Sequence, residues 1–164
     1  MIDADVAGSA GESEHPTSSA CRGFLEAILE LGNYVVMTKE IFDEWRQHRS
    51  NYSSKWLTRM FGRRQVYTDT TEHDDSLRQR IVDSLPGNRR AVARKDLHLI
   101  EAALATDRLV ASRDEHAREV FRHASAVVRE LTSIAWVNPT LSVDAAVEWL
   151  RSGAKADARR RLST

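Results

Sequence analysis

The chain has 164 residues, 41% hydrophobic and 29% charged, which is enough for one cored domain and too little for two. Lysine plus arginine and aspartate plus glutamate both number 24, so net charge names no partner and only its distribution along the chain is informative. Cys21 is the single cysteine, which excludes an internal disulfide and a cysteine zinc cage. The longest apolar runs, Tyr34–Met37 and Ile134–Val137, fall far short of the roughly 20 residues of a membrane span. Asp3 and Asp5 interrupt any signal-peptide pattern, so a soluble, cytoplasmic protein with no membrane partner is expected. The histidines, at 15, 48, 73, 98, 116 and 123, contain no i, i+4 pair and read as surface and helix-end residues.

In chain order, Met1 to Val6 predicts a clipped first strand and residues 7–19 a polar loop. Phe24, Leu25, Ile28, Leu29 and Leu31 keep helical period from Ala20 onward, until Gly32-Asn33 stops the helix. Tyr34–Met37 is a continuous apolar strand of the doubly buried kind. Thr38 caps a helix through Ile41 and Trp45 that breaks near Ser50, and a further helix spans about Lys55 to Phe61, ending at Gly62. Val66-Tyr67 is a weak strand, residues 68–75 a loop and helix start, and Leu77, Ile81, Val82 and Leu85 another helix. Pro86-Gly87-Asn88 predicts a turn, with Pro fixing φ and Gly supplying positive φ.

The second half is better patterned. Asp96 to Thr106 predicts a helix, Leu109–Ala111 a strand, Arg113 to Ala124 a helix and Ile134–Val137 a strand ended by Asn138-Pro139. Ser142 caps a final helix closed by Gly153. Alternating helices and unalternated strands predict an α/β domain with a mostly parallel sheet over residues 1–153. Residues 154–164 form a basic tail, either a helical extension or frayed.

Acids fall where such sheets build sites, beyond the carboxyl ends of the strands. Asp3 and Asp5 lie on or just after the first strand, and Asp114 lies three residues past Ala111. Glu44 sits about two turns into the helix leaving the second strand, and Asp96 opens the helix that returns to the fourth. They converge if the first and fourth strands are neighbours. Converging carboxylates repel unless a cation holds them, and a site of hard oxygens without Cys or His suits Mg²⁺ or Mn²⁺. The bland alternative is solvated acids favoured at helix N-termini.

Lys95-Asp96-Leu97-His98-Leu99-Ile100-Glu101-Ala102-Ala103-Leu104 followed by Leu109-Val110-Ala111-Ser112-Arg113-Asp114 resembles the second half of a PIN domain. Ile2-Asp3-Ala4-Asp5-Val6 resembles that family's opening strand, and Thr38-Lys39-Glu40-Ile41-Phe42-Asp43-Glu44-Trp45 its second acidic helix. The likeness runs over residues 1–137, although the first strand is shorter than the family's. It implies a three-layer α/β/α sandwich with a central, mostly parallel sheet. It also implies a Mg²⁺- or Mn²⁺-dependent endoribonuclease, as in VapC-like toxins, with Asp3, Glu44, Asp96 and Asp114 as catalytic metal ligands. The metal-activated water would cleave RNA to leave a 5′-phosphate and a 3′-hydroxyl. Asp5 and Glu40 would support the set, with Glu40 and Asp43 near rivals to Glu44. Ser112 would hydrogen-bond an acid or a bound water, or simply cap the helix before Arg113. By the same likeness, a small antitoxin and a second copy are expected partners, and a catalytically silent RNA- or protein-binding module is the alternative.

Between Trp45 and Thr68 there is no acid, while Arg46, Arg49, Lys55, Arg59, Arg63 and Arg64 are interleaved with Tyr52, Trp56 and Phe61. Bases neutralise phosphates and aromatics stack unpaired bases, so this stretch is a candidate surface for single-stranded or structured RNA. For Trp56 and Phe61 a place in the core is the better reading. Arg89, Arg90, Arg94 and Lys95 could take a flanking phosphate; Arg159–161 of the tail is a weaker candidate. A receiver-like signalling domain is disfavoured, because no Lys follows the last strand.

Overall fold

The apolar strand segments pair in parallel, as their composition predicts. In the computed structural model, which describes residues 1–68 and 73–163, they are Val35–Met37 (β1), Val66–Thr68 (β2), Leu109–Ala111 (β3) and Ala135–Val137 (β4). β1 pairs with β2, Val35 opposite Val66, and β3 with β4, Leu109 opposite Ala135. These are two small parallel sheets rather than one continuous sheet, within a mixed α/β fold dominated by helices. Most of the 68–75 loop expectation, residues 69–72, lies outside the described residues, as does Thr164.

The helices are Ala4–Ser9 (α1), Pro16–Glu30 (α2), Lys39–His48 (α3), Asn51–Gly62 (α4), Asp75–Asp83 (α5), Gly87–Ala105 (α6), Glu115–Ala124 (α7) and Val143–Arg151 (α8). Thr38 accepts from the Ile41 N–H and Ser142 from the Ala145 N–H, the caps their positions predict. Ser50 accepts from the Ser53 N–H, which starts α4 four residues before the apolar period alone suggests. Among the described residues, no helix is long and apolar enough to cross a membrane.

The opening segment departs from expectation. Only Ile2 bridges, in parallel, to Ala111, flanked by the Met1 ammonium donating to Leu109 O (2.8 Å) and the Asp3 N–H to Ala111 O (2.9 Å). Asp3 then turns the chain into α1, where a strand end and loop were expected. Its carboxylate accepts from the Asp5 N–H, satisfying a first-turn donor, and Ala4, Val6 and Ala7 bury one face. The first segment is nonetheless beside the expected fourth strand, the adjacency that convergence of the acids requires. Trp45 fixes it from the other side: its Nε1–H donates 2.9 Å to Ile2 O, and its ring packs 6.0 Å from that of Trp56. α1 also lies so close to α3 that a Cβ on Gly8 would stand 2.6 Å from the His48 carbonyl oxygen.

Three further corrections bear on the site. Pro86 is the N-cap of α6 rather than the start of a turn, and Gly87 is helical; the glycines with positive φ are Gly32 and Gly153, each ending a helix. Asp96 therefore lies inside α6 instead of opening a helix, because Ala93 extends the buried stripe of Leu97 and Ile100 by another turn. The tail is neither helical nor frayed. The Trp136 N–H donates to Arg160 O, the Leu162 N–H donates to Ile134 O, and Leu162 is fully buried, so residues 160–162 occupy the open edge of β4. Finally, Trp56 is core whereas Phe61 is half exposed.

Candidate active site

The carboxyl end of β3 is the centre of the site. Ser112, fully buried, follows it, and its Oγ–H donates 2.7 Å to Asp3 Oδ2 while accepting from the Asp114 N–H at 3.1 Å. One hydroxyl thus links the first and last acids of the predicted set. The expected helix cap moves to Asp114, whose Oδ1 accepts from the Ala117 N–H (2.8 Å) and starts α7. Asp5, in the first turn of α1, accepts from the Arg113 N–H at 2.9 Å with Oδ2, while its Oδ1 is buried without a partner among the described residues. Arg113 in turn reaches the Ser9 hydroxyl.

Asp96 of α6 faces this cluster. Burial, then the charges of Asp3, Asp114, Glu44 and Asp5, push its carboxyl up to about 7. Burial and the charge of Asp3 do the same to Asp5, also to about 7, against the opposing pull of the Arg113 N–H and guanidinium. Acids from four chain segments therefore share one electrostatic environment, three of them hydrogen-bonded into place, and among the described residues no lysine or arginine forms a salt bridge with any of them. Glu44 contributes from α3, with its Oε2 3.2 Å from Nε2 of His98. Its near rivals point to other partners. Asp43 pairs with Lys39 (2.6 Å) and Arg46 (3.9 Å), and Glu40 with His73 (3.2 Å) and Arg78 (3.5 Å).

Their all-oxygen donor set fits a hard divalent cation, and the orphaned Asp5 Oδ1 and the raised Asp96 carboxyl are what such an ion relieves. Among the described residues, however, no three Asp, Glu, His or Cys side chains converge closely enough to ligate one ion as they stand. The carboxylates would have to draw inward around it.

A polar cleft of roughly 280 Å³ adjoins the acids, lined by Glu40, Glu44, Arg78, Arg94, Lys95 and His98 among others. Arg94 and Lys95 are exposed there, and no carboxylate pairs with them among the described residues. The basic stretch of α3 and α4 is organised differently. Arg59 binds Glu26 (2.8 Å), Lys55 lies 3.6 Å from Glu12, Arg63 donates to Leu29 O and Arg49 stands 6.0 Å from the Phe42 ring centre. Of its interleaved aromatics, Trp45 and Trp56 are wholly buried and Tyr52 binds Glu26, which leaves Phe61 as the accessible ring.

Sequence reasoning missed two features. Glu101 is held below its ordinary carboxyl range: burial would raise it, but Arg78 (2.7 Å from Nε) and His73 outweigh that, which ties α5 to α6 at the cleft wall. His98 interrupts the apolar run Leu97-His98-Leu99-Ile100, and a buried ring in such a run demands a polar partner, which was the available signal.

No protein-family model, curated protein or solved structure matches this chain, so its function has to be argued from these residues.

Proposed function

We propose that this chain is a divalent-metal-dependent ribonuclease of the PIN type, with Asp3, Glu44, Asp96 and Asp114 holding Mg²⁺ or Mn²⁺. The observation that carries this reading is Asp96: a largely buried acid kept among carboxylates from three other segments, with its protonation range pushed up to about 7 by burial and their charge. Such an arrangement is unfavourable unless it binds a cation, and an acidic centre beside a cleft with two bases that no carboxylate pairs among the described residues suits a phosphodiester.

When bound, the metal supplies an activated water and neutralises charge developing on the phosphate. The remaining work falls to the chain. Ser112 holds Asp3 and the Asp114 backbone in one register, Asp5 secures the Arg113 turn, and Arg94 and Lys95 bind a phosphate flanking the scissile one. Arg46, Arg49, Lys55, Arg59, Arg63 and Arg64 would engage RNA further along the strand. The PIN likeness adds pairing with a small antitoxin and a second copy as proposals for partners.

The test is cleavage of a labelled single-stranded RNA with Mg²⁺, Mn²⁺ or EDTA, wild type against Asp96→Asn. Cleavage lost both in EDTA and in the variant supports the reading; cleavage retained by Asp96→Asn overturns it. A silent RNA- or protein-binding module is the second reading, favoured by the spacing of the acids, which leaves no three of them around one point. RNA binding without turnover in any metal would select it.

A further inference from the structure

The acids of the site are not equally restrained. Asp3 is pinned by Ser112 Oγ and the Asp5 N–H, Asp5 by the Arg113 N–H and Asp114 by the Ala117 N–H. Glu44 is longer, partly exposed and on a different helix from any of these donors, so its carboxylate has the most rotamer freedom of the set. Neither Arg94 nor Lys95, which share its cleft, forms an ion pair with it. The one side chain within reach of its oxygens among the described residues is His98.

His98 is 6% exposed, and its Nε2 is buried with no completed hydrogen bond. That atom lies 3.2 Å from Glu44 Oε2, near enough in distance but out of line for a hydrogen bond. A buried ring N–H left without an acceptor costs about 1–3 kcal/mol, so a small rotation that completes the bond is favoured. His98 is also two residues from Asp96 on α6. A bond from His98 to Glu44 therefore fixes the α3 acid relative to the α6 acid through one rigid element.

We propose that His98 is a positioning residue for the acidic centre: its Nε2–H donates to Glu44 and holds that carboxylate at a fixed place relative to α6 for the cation. The inference rests on the metal-dependent ribonuclease reading and adds to it the residue that orders its least restrained ligand. Outer-shell donors of this kind typically govern metal affinity by 10–100-fold.

The experiment is Mn²⁺ binding by titration calorimetry, with thermal melting alongside, on wild type, His98→Met and His98→Gln. His98→Met fills the space without a donor and should weaken Mn²⁺ binding about tenfold or more. His98→Gln keeps an N–H donor and should recover most of that loss. Added to Glu44→Gln, His98→Met should cause no further loss, because its effect passes through Glu44. If His98→Met does not fold, His98→Asn, polar but too short to reach, takes its place. Wild-type affinity in a folded His98→Met or His98→Asn, or a lowered melting temperature with unchanged affinity, overturns the role of His98 alone. A wild type that takes up no Mn²⁺ overturns the metal reading and this inference together.

Discussion

The carboxyl end of β3 and the outer face of α4 carry comparable numbers of charges and treat them in opposite ways. On α4 and its neighbours, Arg59 has Glu26, Lys55 has Glu12 and Arg63 has a main-chain carbonyl. These three charges are locally satisfied, and exposed pairs of this sort contribute about 0–1 kcal/mol. At β3, Asp3, Asp5 and Asp114 are held by hydrogen-bond donors and Asp96 faces them, and among the described residues Arg113 offsets only part of the charge on Asp5. An arrangement that works against stability persists where something outside the chain resolves it. Charge left unresolved thus marks the site better than charge density does.

The largest expected effect separates the two regions by activity. Asp96→Asn should lower metal-dependent RNA cleavage by roughly a hundredfold or more, matching the several kcal/mol that a Lewis-acid cation contributes. The same substitution should raise the melting temperature at pH 8 in EDTA, because it removes a charge that its surroundings repel; a lowered melting temperature would show that the acids do not repel as described.

Acid titration gives the next effect. Unfolded carboxyls titrate near pH 4, whereas Asp5 and Asp96 do so at about 7 in the folded protein. Between those values the native state holds protons that the unfolded chain has lost. Metal-free stability should therefore fall as pH rises from about 4 to about 7 and flatten above, by at most about 8 kcal/mol from the two shifts and on the order of 2–4 kcal/mol once their mutual coupling and partial exposure are discounted. Urea unfolding in EDTA at pH 5 and pH 7.5 measures it, and Asp96→Asn should shrink the difference. A stability that climbs with pH across this window would contradict the raised carboxyls.

Smaller again is the effect of packing. Gly8→Ala would press a methyl into the His48 carbonyl, a backbone group unable to swing aside, and should destabilise by about 1–3 kcal/mol in chemical denaturation. Because α1 carries Asp5 and begins at Asp3, cleavage should fall with it. Smallest is the contrast between bases. Arg94→Ala should weaken RNA binding several-fold at low salt, on the order of 1 kcal/mol, and more than Arg59→Ala does. The reverse ranking would move the RNA path from the cleft to α4.

Much of this was readable from residue order. Thr38 and Ser142 announce their helices because a hydroxyl before an apolar period has a first-turn N–H to satisfy, and Gly32 and Gly153 end theirs by adopting positive φ. The four acids were selected by their place relative to strand ends, and the fold sets them within electrostatic reach of one another, although among the described residues no three converge on one point. What sequence could not show depends on partners distant along the chain. Asp3 caps a helix whose inner face is buried against α2 and α3, the latter so close that a Gly8 Cβ would stand 2.6 Å from the His48 carbonyl oxygen. Asp96 sits mid-helix because Pro86, readable as a turn residue, serves equally as an N-cap. That Asp43 turns to Lys39 and Arg46 while Glu44 acts on Asp96 is settled by those partners, and the division into two small sheets follows from strands of only three residues each.

The antiparallel pairing of residues 160–162 with β4 also sets an order of events. β4 lies between β3 and this segment, so until Leu162 has been synthesised the sheet presents an open row of amides and carbonyls. An emerging chain is then able to pair with a neighbour rather than with itself. The same residues, read from sequence as a basic tail, serve as the bolt that closes the sheet, and a truncation before Arg160 should show itself as aggregation during expression rather than as a change in the acidic centre.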